Sequence, residues 1–210
     1  MMKNPFKKVV DSNLDILLLN SPLKDYDRSP KLNSFTLPTL GLGYIATCAE
    51  VEGFTAEVLD AEALGLGISE IAHLVNSKQP RWLGLNLLAP TFPNSIEILR
   101  NIDQNILVML GGHQAKAMPL DILMSKRIPR IDALVLGEGE TRVPHLLADI
   151  NSRKYLPKVY WRSNNEIGMA QSTIFDPELL EPDLDKMPFL DRKHLVQDPY
   201  WDDGYLECLT

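Results

Sequence analysis

The chain has 210 residues, 45% of them apolar and 23% charged, with a formal net charge of −7. That length suits one α/β domain of about 150 residues with an appendage, and a domain of that size needs no covalent staples. The acidic balance disfavours a general nucleic-acid or anionic-membrane binder, since both need a basic face. No apolar run reaches the roughly 18 residues of a membrane-spanning helix.

The two cysteines, Cys48 and Cys208, lie far apart, which fits a reducing, cytoplasmic setting with Cys48 as a buried thiol. Residues 1–13 form a polar tail without the apolar centre of a signal peptide. Residues 15–20 (DILLLN) are a continuous apolar run, the pattern of a strand buried on both faces. A polar loop follows over 21–37, and loops of that length usually serve a function. Residues 43–52 read as a helix with Tyr44, Ile45, Thr47, Cys48 and Val51 on its apolar face, stopped by Gly53. Residues 54–60 (FTAEVLD) give a second strand, and 68–77 a second helix with Ser69 as its N-cap.

A third strand is expected over 82–88 (WLGLNLL), and a third helix over 93–103 with Ile96, Leu99 and Ile102 in register. The fourth strand, 106–110, ends at Gly111-Gly112, and a short helix follows over 120–125. The fifth strand, 131–136, ends in Gly137-Glu138-Gly139-Glu140, before a helix over 141–151. Alternation of this kind predicts a doubly wound α/β fold with a five-stranded parallel sheet over 14–151. Residues 152–210 are rich in proline and acids and read as an extended tether. Within them, 158–162 (KVYWR) suits an edge strand, and Leu184, Met187 and Phe189 are expected as apolar anchors.

All the glycine turns fall at strand ends, where such sheets bind ligands. As a dinucleotide fingerprint, Gly41-x-Gly43 has Ala46 in the third glycine place, which the looser pattern allows, and Asp60 ends the next strand where a ribose-binding acid would lie. The 17-residue loop from 21 to 37 is far too long for that tight turn. Glu138 and Glu140 could act as an acid–base pair, but suit capping and hydrogen bonding better. His113 stands at the crevice rim, while His73, His145 and His194 read as solvated.

Six segments in order carry a resemblance to a known family: PTLGLGYIA (38–46), the helix ending at Gly53, VLD (58–60), GLNLLAPT (84–91), LGGHQA (110–115) and LGEGE (136–140). Together with DLDKMPFLDR (183–192), they resemble the cobalamin (B12)-binding domain found at the N-terminus of cobalamin-dependent radical S-adenosylmethionine (radical SAM) enzymes. The resemblance covers about residues 14–192 and implies a Rossmann-like fold holding cobalamin.

The methionine-synthase type of this domain carries Asp-x-His-x-x-Gly before its first helix. Setting that glycine on Gly43 puts Pro38 at the aspartate and Leu40 at the histidine that ligates cobalt. The resemblance therefore implies a site without a protein imidazole, with Leu40 in place of the lower-face ligand and no metal ligand from the chain. It further implies that Asn86, Leu88, Thr91, Gly111, Gly112, Gly137, Glu138 and Gly139 wall the nucleotide tail; Gly41 and Gly43, at the cofactor too, open a helix whose free N–H groups could bind an anion, and His113 suits a surface or corrin-amide contact. Ser or Thr is commoner than Asn at position 86.

The three-cysteine cluster motif of the radical enzymes is absent, so an iron–sulfur cluster and S-adenosylmethionine are expected only in a missing domain or partner. The partners implied are a corrinoid and a radical SAM domain or protein, with no nucleic acid and no membrane. Two further readings stay open: a cobalamin-dependent sensory module and a nucleotide-binding enzyme fragment.

Overall fold

A computed structural model describes residues 14–31, 37–163, 166–170 and 183–195. Five parallel strands build the centre of the sheet: β1 (Ile16–Asn20), β2 (Ala56–Asp60), β3 (Trp82–Asn86), β4 (Leu107–Gly111) and β5 (Ile131–Val135). Their order is β2-β1-β3-β4-β5. The order reverses between β1 and β3, so a crevice opens there at the carboxyl ends of the strands.

The helices are α1 (Leu40–Val51), α2 (Ala61–Leu64), α3 (Ile68–Lys78), α4 (Phe92–Arg100), α5 (His113–Ala117), α6 (Pro119–Met124) and α7 (Arg142–Ala148). Successive strand residues point to opposite faces, and the central strands feed two cores. Leu17, Leu19, Leu83, Leu85, Val108 and Leu110 pack with Ile71, Ile96, Leu99 and Leu123 from α3, α4 and α6. Ile16, Leu18, Trp82, Met109 and Val135 pack with Leu42, Ala46, Val143 and Leu146 from α1 and α7. Burial on both faces is why these strands read as unbroken apolar runs.

The sheet is wider than the five parallel strands expected, and the edge strand expected over 158–162 forms next to them. β6 (Val159–Ser163) pairs antiparallel with β5, and β7 (Glu166–Met169) pairs antiparallel with β6. The sheet thus runs past residue 151, where the sequence reading ended the domain. Gly168 makes β7 possible, because a Cβ there would lie 2.0 Å from Cε2 of Trp161. On β6, Arg162 donates through Nη1 to the carbonyls of Leu123 (2.9 Å) and Ser125 (2.7 Å), tying the strand to the end of α6.

Two further differences concern caps and tails. Ser69 does not cap α3; Gly67 stands at the N-cap. The exposed amides of α3 are met from the 21–31 loop instead: Asp25 Oδ1 accepts from Ile68 N–H (3.3 Å) and Asp27 Oδ2 from Ser69 N–H (2.7 Å). Glu62 of α2 receives Leu23 N–H (2.7 Å) and the Tyr26 hydroxyl (2.9 Å), which pins the same loop.

Leu184 and Phe189 are not anchors, being 78% and 98% exposed. The tail is held by residues 190–195. Leu190 and Leu195 close over Gly43, whose hydrogen leaves a Cβ only 2.9 Å from Leu190 Cδ1. The Asp191 amide donates to Thr47 Oγ1 (3.0 Å), and His194 Nε2 lies 3.0 Å from Glu50 Oε2. His194 is buried by this contact rather than solvated, while His73 and His145 are exposed as expected.

Candidate ligand crevice

A crevice of about 380 Å³ opens between α1, α7 and the sheet at its carboxyl edge. That is enough for a small organic group, since ligand pockets run from roughly 300 to 1,000 Å³. Its floor is Leu18, Gly84, Met109 and Val135, one from each of four adjacent strands. Gly84 keeps the floor low: a Cβ there would come within 2.8 Å of Leu18 Cδ2. Glycine inside a strand often marks such a close approach, and the period-2 pattern of β3 would have flagged it; the sequence reading left it out.

Of the residues expected to wall the site, eight line this crevice: Gly41, Asn86, Gly111, Gly112, His113, Gly137, Glu138 and Gly139. The three glycine turns do converge. The Gly111 carbonyl accepts from Leu87 N–H (2.8 Å), and Gly112 (φ +92°) swings the chain into α5. A Cβ on Gly112 would meet Asn86 Oδ1 at 2.2 Å and the Leu87 backbone at 2.9 Å. Gly139 is buried where α7 begins, and a Cβ there would meet Ile45 Cδ1 of α1 at 2.9 Å.

Leu40 is the first residue of α1, 46% exposed, between the lining residues Thr39 and Gly41. Gly43, Leu88 and Thr91 do not line the crevice. Gly43 faces Leu190 and Leu195 of the tail instead. Thr91 is buried at the start of α4 on the other face of the sheet, and its hydroxyl donates to the Leu88 carbonyl (3.3 Å). The chain leaves the crevice at Leu87, whose side chain belongs to the opposite core.

Besides the floor, the polar lining residues Thr39 and Lys116 were not expected; Glu140, expected to cap and to hydrogen-bond, lines the crevice as well. Thr39 is the N-cap of α1, yet its hydroxyl makes no capping bond; Oγ1 is buried and unpartnered. Oε2 of Glu140 is likewise buried without a hydrogen-bond partner. Burial pushes the Glu140 carboxyl above the usual carboxylate range, and Glu138 adds to this. The amides of Glu140 and Gly139 and the Arg142 guanidinium oppose the shift. Arg142 holds the turn from beneath, donating to the Glu138 carbonyl and, at 2.9 Å, to that of Pro157.

A larger groove, about 1,100 Å³, lies at the amino ends of β4 and β5. Its buried carboxylate is already engaged: Asp132 accepts from Val108 N–H (2.8 Å) and pairs with Arg130 (2.7 Å). The glycine turns are all at the other end. Asp60, the ribose-binding acid of a dinucleotide site, is buried, its Oδ1 accepting from Asn20 Nδ2 (2.9 Å) and Ala63 N–H (3.0 Å). Among the described residues, no three His, Cys, Asp or Glu side chains gather as a metal site, and no helix is long and apolar enough to cross a membrane.

The chain is similar to known proteins. Over 172 residues the chain is 28% identical to an uncharacterized methyltransferase of Pyrococcus horikoshii, covering 80% of this chain and 36% of that protein. It is 33% identical over 150 residues to the anaerobic magnesium-protoporphyrin IX monomethyl ester cyclase of Synechocystis sp., covering 69% and 29%. The chain thus spans about a third of the length of these relatives.

The fold is that of a segment of the radical S-adenosylmethionine methyltransferase TsrM from Kitasatospora setae, solved with cobalamin and a [4Fe-4S] cluster. The TM-score is 0.60 at 18% identity, over 78% of this chain and 30% of that one. The cobalamin-dependent S-adenosylmethionine radical enzyme OxsB, solved with aqua-cobalamin, gives 0.57 at 17% identity, over 76% and 22%. The model of the B12 binding domain matches residues 34–147, more than half of the chain, and the chain belongs to that family.

Proposed function

We propose that this chain is the cobalamin-holding part of a radical SAM methyltransferase-like enzyme, and that it holds the corrinoid without a protein imidazole on cobalt. The residues present fit such a group. Gly84, Gly111 and Gly139 clear a slot that side chains would fill, and Thr39 Oγ1 and Glu140 Oε2 wait unpartnered in its walls. The observation that carries the reading is this slot at the switch point of the sheet, walled by all three glycine turns.

The nucleotide tail would be held by Gly41, Asn86, Gly111, Gly112, Gly137 and Gly139, with Glu138 and His113 at the rim. Bound cobalamin supplies a cobalt centre that can carry a methyl group. The chain's own residues contribute binding and orientation. α1 has no acid in its first turn, so its free amides leave that end suited to an anionic group such as a phosphodiester. Leu40 cannot ligate a metal, which would leave the lower face to water or apolar cover and alter the energetics of methyl transfer. The segment beyond β7 would lead towards a catalytic domain carrying the cluster and S-adenosylmethionine, and the upper face would be presented to that domain.

The test is the visible spectrum after mixing purified protein with hydroxocobalamin and desalting. We expect retained corrin absorbance of base-off type, and no protein nitrogen hyperfine splitting in EPR of the Co(II) form. Leu40→His should introduce that splitting. Splitting from a protein nitrogen in the wild type would refute the His-off assignment, and retention of NAD or a mononucleotide in place of corrinoid would refute the reading itself.

A further inference from the structure

The turn after α6 is a cationic spot in an acidic chain. Residues 126–130 read Lys-Arg-Ile-Pro-Arg, with no acid among them, in a chain of net charge −7. Arg162 of β6 pins this turn by donating to the carbonyls of Leu123, Ser125 and Ile128. Arg130 is committed to Asp132 (2.7 Å) and to the Gln104 carbonyl. Lys126 and Arg127 stay exposed, and among the described residues neither pairs with a carboxylate.

Beside the turn, the end of the sheet presents an apolar face. Tyr160 stands opposite Met169 and Arg162 opposite Ile167, so these four share that face. Tyr160 packs against the core under α6, and Arg162 lines the groove at the amino ends of β4 and β5. α6 ends at Met124, and Met124, Ile167 and Met169 are all exposed. Met124, Lys126 and Ile167 line the same groove.

The edge of this face is set for backbone pairing. β7 is the last strand of the described sheet. Ala170 N–H donates to the Val159 carbonyl (3.2 Å), which fixes the alternation of the antiparallel ladder. Gly168 therefore turns its N–H and C=O towards Trp161, while those of Ile167 and Met169 point off the sheet. Outward amides and carbonyls of this kind are a template for another strand. The β7 of a second copy would bring a single acid, Glu166, to two free cations. We propose that β7 takes up an extended acidic segment of a partner protein as a further strand, with an apolar side chain beside Ile167 and Met124 and carboxylates on Lys126 and Arg127. This surface lies at the opposite end of the strands from the crevice, so the proposal stands apart from the cobalamin reading.

The experiment titrates the protein with a fluorescein-labelled peptide, Glu-Asp-Val-Thr-Val-Thr-Val-Asp-Glu. It is acidic at both ends, so either strand direction brings carboxylates to the turn. A control peptide has Lys or Arg in place of each acid. Wild type should bind the acidic peptide at low salt and not the basic one. Lys126→Glu combined with Arg127→Glu should weaken binding about tenfold or more, as should raising NaCl from about 0.05 to 0.5 M. Ile167→Pro removes an outward N–H and the apolar contact. Proline is tolerated where an edge N–H faces solvent, so the melting temperature should hold while binding falls by a similar factor. Absence of acidic-peptide binding by wild type, equal binding of the two peptides, or an unchanged affinity in the double variant overturns the proposal. So does a wild-type dimer in sedimentation that Ile167→Pro disperses, which would give the edge to a second copy. Displacement of the peptide by hydroxocobalamin would put it in the crevice and overturn the proposal as well.

Discussion

Two glycines of the crevice answer to different physics. Gly112 sits at φ +92° and ψ −177°, a region open almost only to glycine, and a Cβ there would strike backbone. Gly112→Ala should therefore cost at least about 1–3 kcal/mol of stability, whatever it does to binding. Gly41 is the opposite case. It lies in the first turn of α1 with nothing within 4 Å of a built Cβ, and it lines the slot. Gly41→Leu should leave the fold as stable or more stable by up to about 1 kcal/mol, yet reduce corrinoid uptake by blocking space. Urea midpoints and corrin absorbance after desalting separate the two effects. A Gly41→Leu protein that binds cobalamin as wild type does would place the tail elsewhere.

Glu140 gives a pH dependence whose sign follows from its raised folded-state value. An acid harder to ionise when folded contributes nothing below its unfolded pKa. It destabilises progressively as pH rises from there to its folded pKa, because the unfolded chain has by then released the proton. Glu140→Gln removes that penalty. The ligand-free variant should match wild-type stability near pH 4 and exceed it at pH 7 by urea denaturation. Equal stability at both values would mean that the carboxyl ionises as freely in the folded protein as in the unfolded one.

At the scale of elements, the main surprise is how much of the polar sequence is structural. The 21–37 loop was expected, from its length, to serve a function. Over 21–31 its Asp25 and Asp27 supply the caps that α3 lacks, and Glu62 fixes its backbone. Asp27 fits because residue 67 is glycine; a Cβ there would lie 2.0 Å from Oδ1.

The 190–195 segment is the second case. It lies along α1 by five contacts: Leu190 and Leu195 on Gly43, Asp191 on Thr47, and His194 and Lys193 on Glu50. Gly43, placed by its motif in the ligand wall, serves this docking instead. Gly43→Leu should release the segment, speeding tryptic cleavage at Arg192 and Lys193 severalfold while the melting temperature of the sheet core stays within a few degrees. Unchanged cleavage would show that the contact does not hold the segment.

For the whole molecule, the two cores and the sheet form one body, so the chain should unfold in a single transition and cobalamin should stabilise it by mass action. At a hundred times its dissociation constant the gain is about 2.7 kcal/mol, readable as a shift in the denaturant midpoint. No shift at saturating corrinoid would contradict preferential binding to the folded state.

The apolar runs of 15–20, 82–88, 106–110 and 131–136 determined by themselves that strands would be buried on both faces. Their spacing determined the helical crossovers, and the glycine clusters marked the edge at which the crevice opens. These are local signals, carried by residues that are neighbours along the chain. Only the folded structure decided that Gly84 would be the floor of the slot, that β7 would pair beyond the expected edge strand, and that His194 would be buried on Glu50. It also set Oε2 of Glu140 in the slot without a hydrogen-bond partner. Each of these depends on what lies opposite a residue across tens of positions of sequence. A period or a motif records the residue's own face and not the surface it will meet.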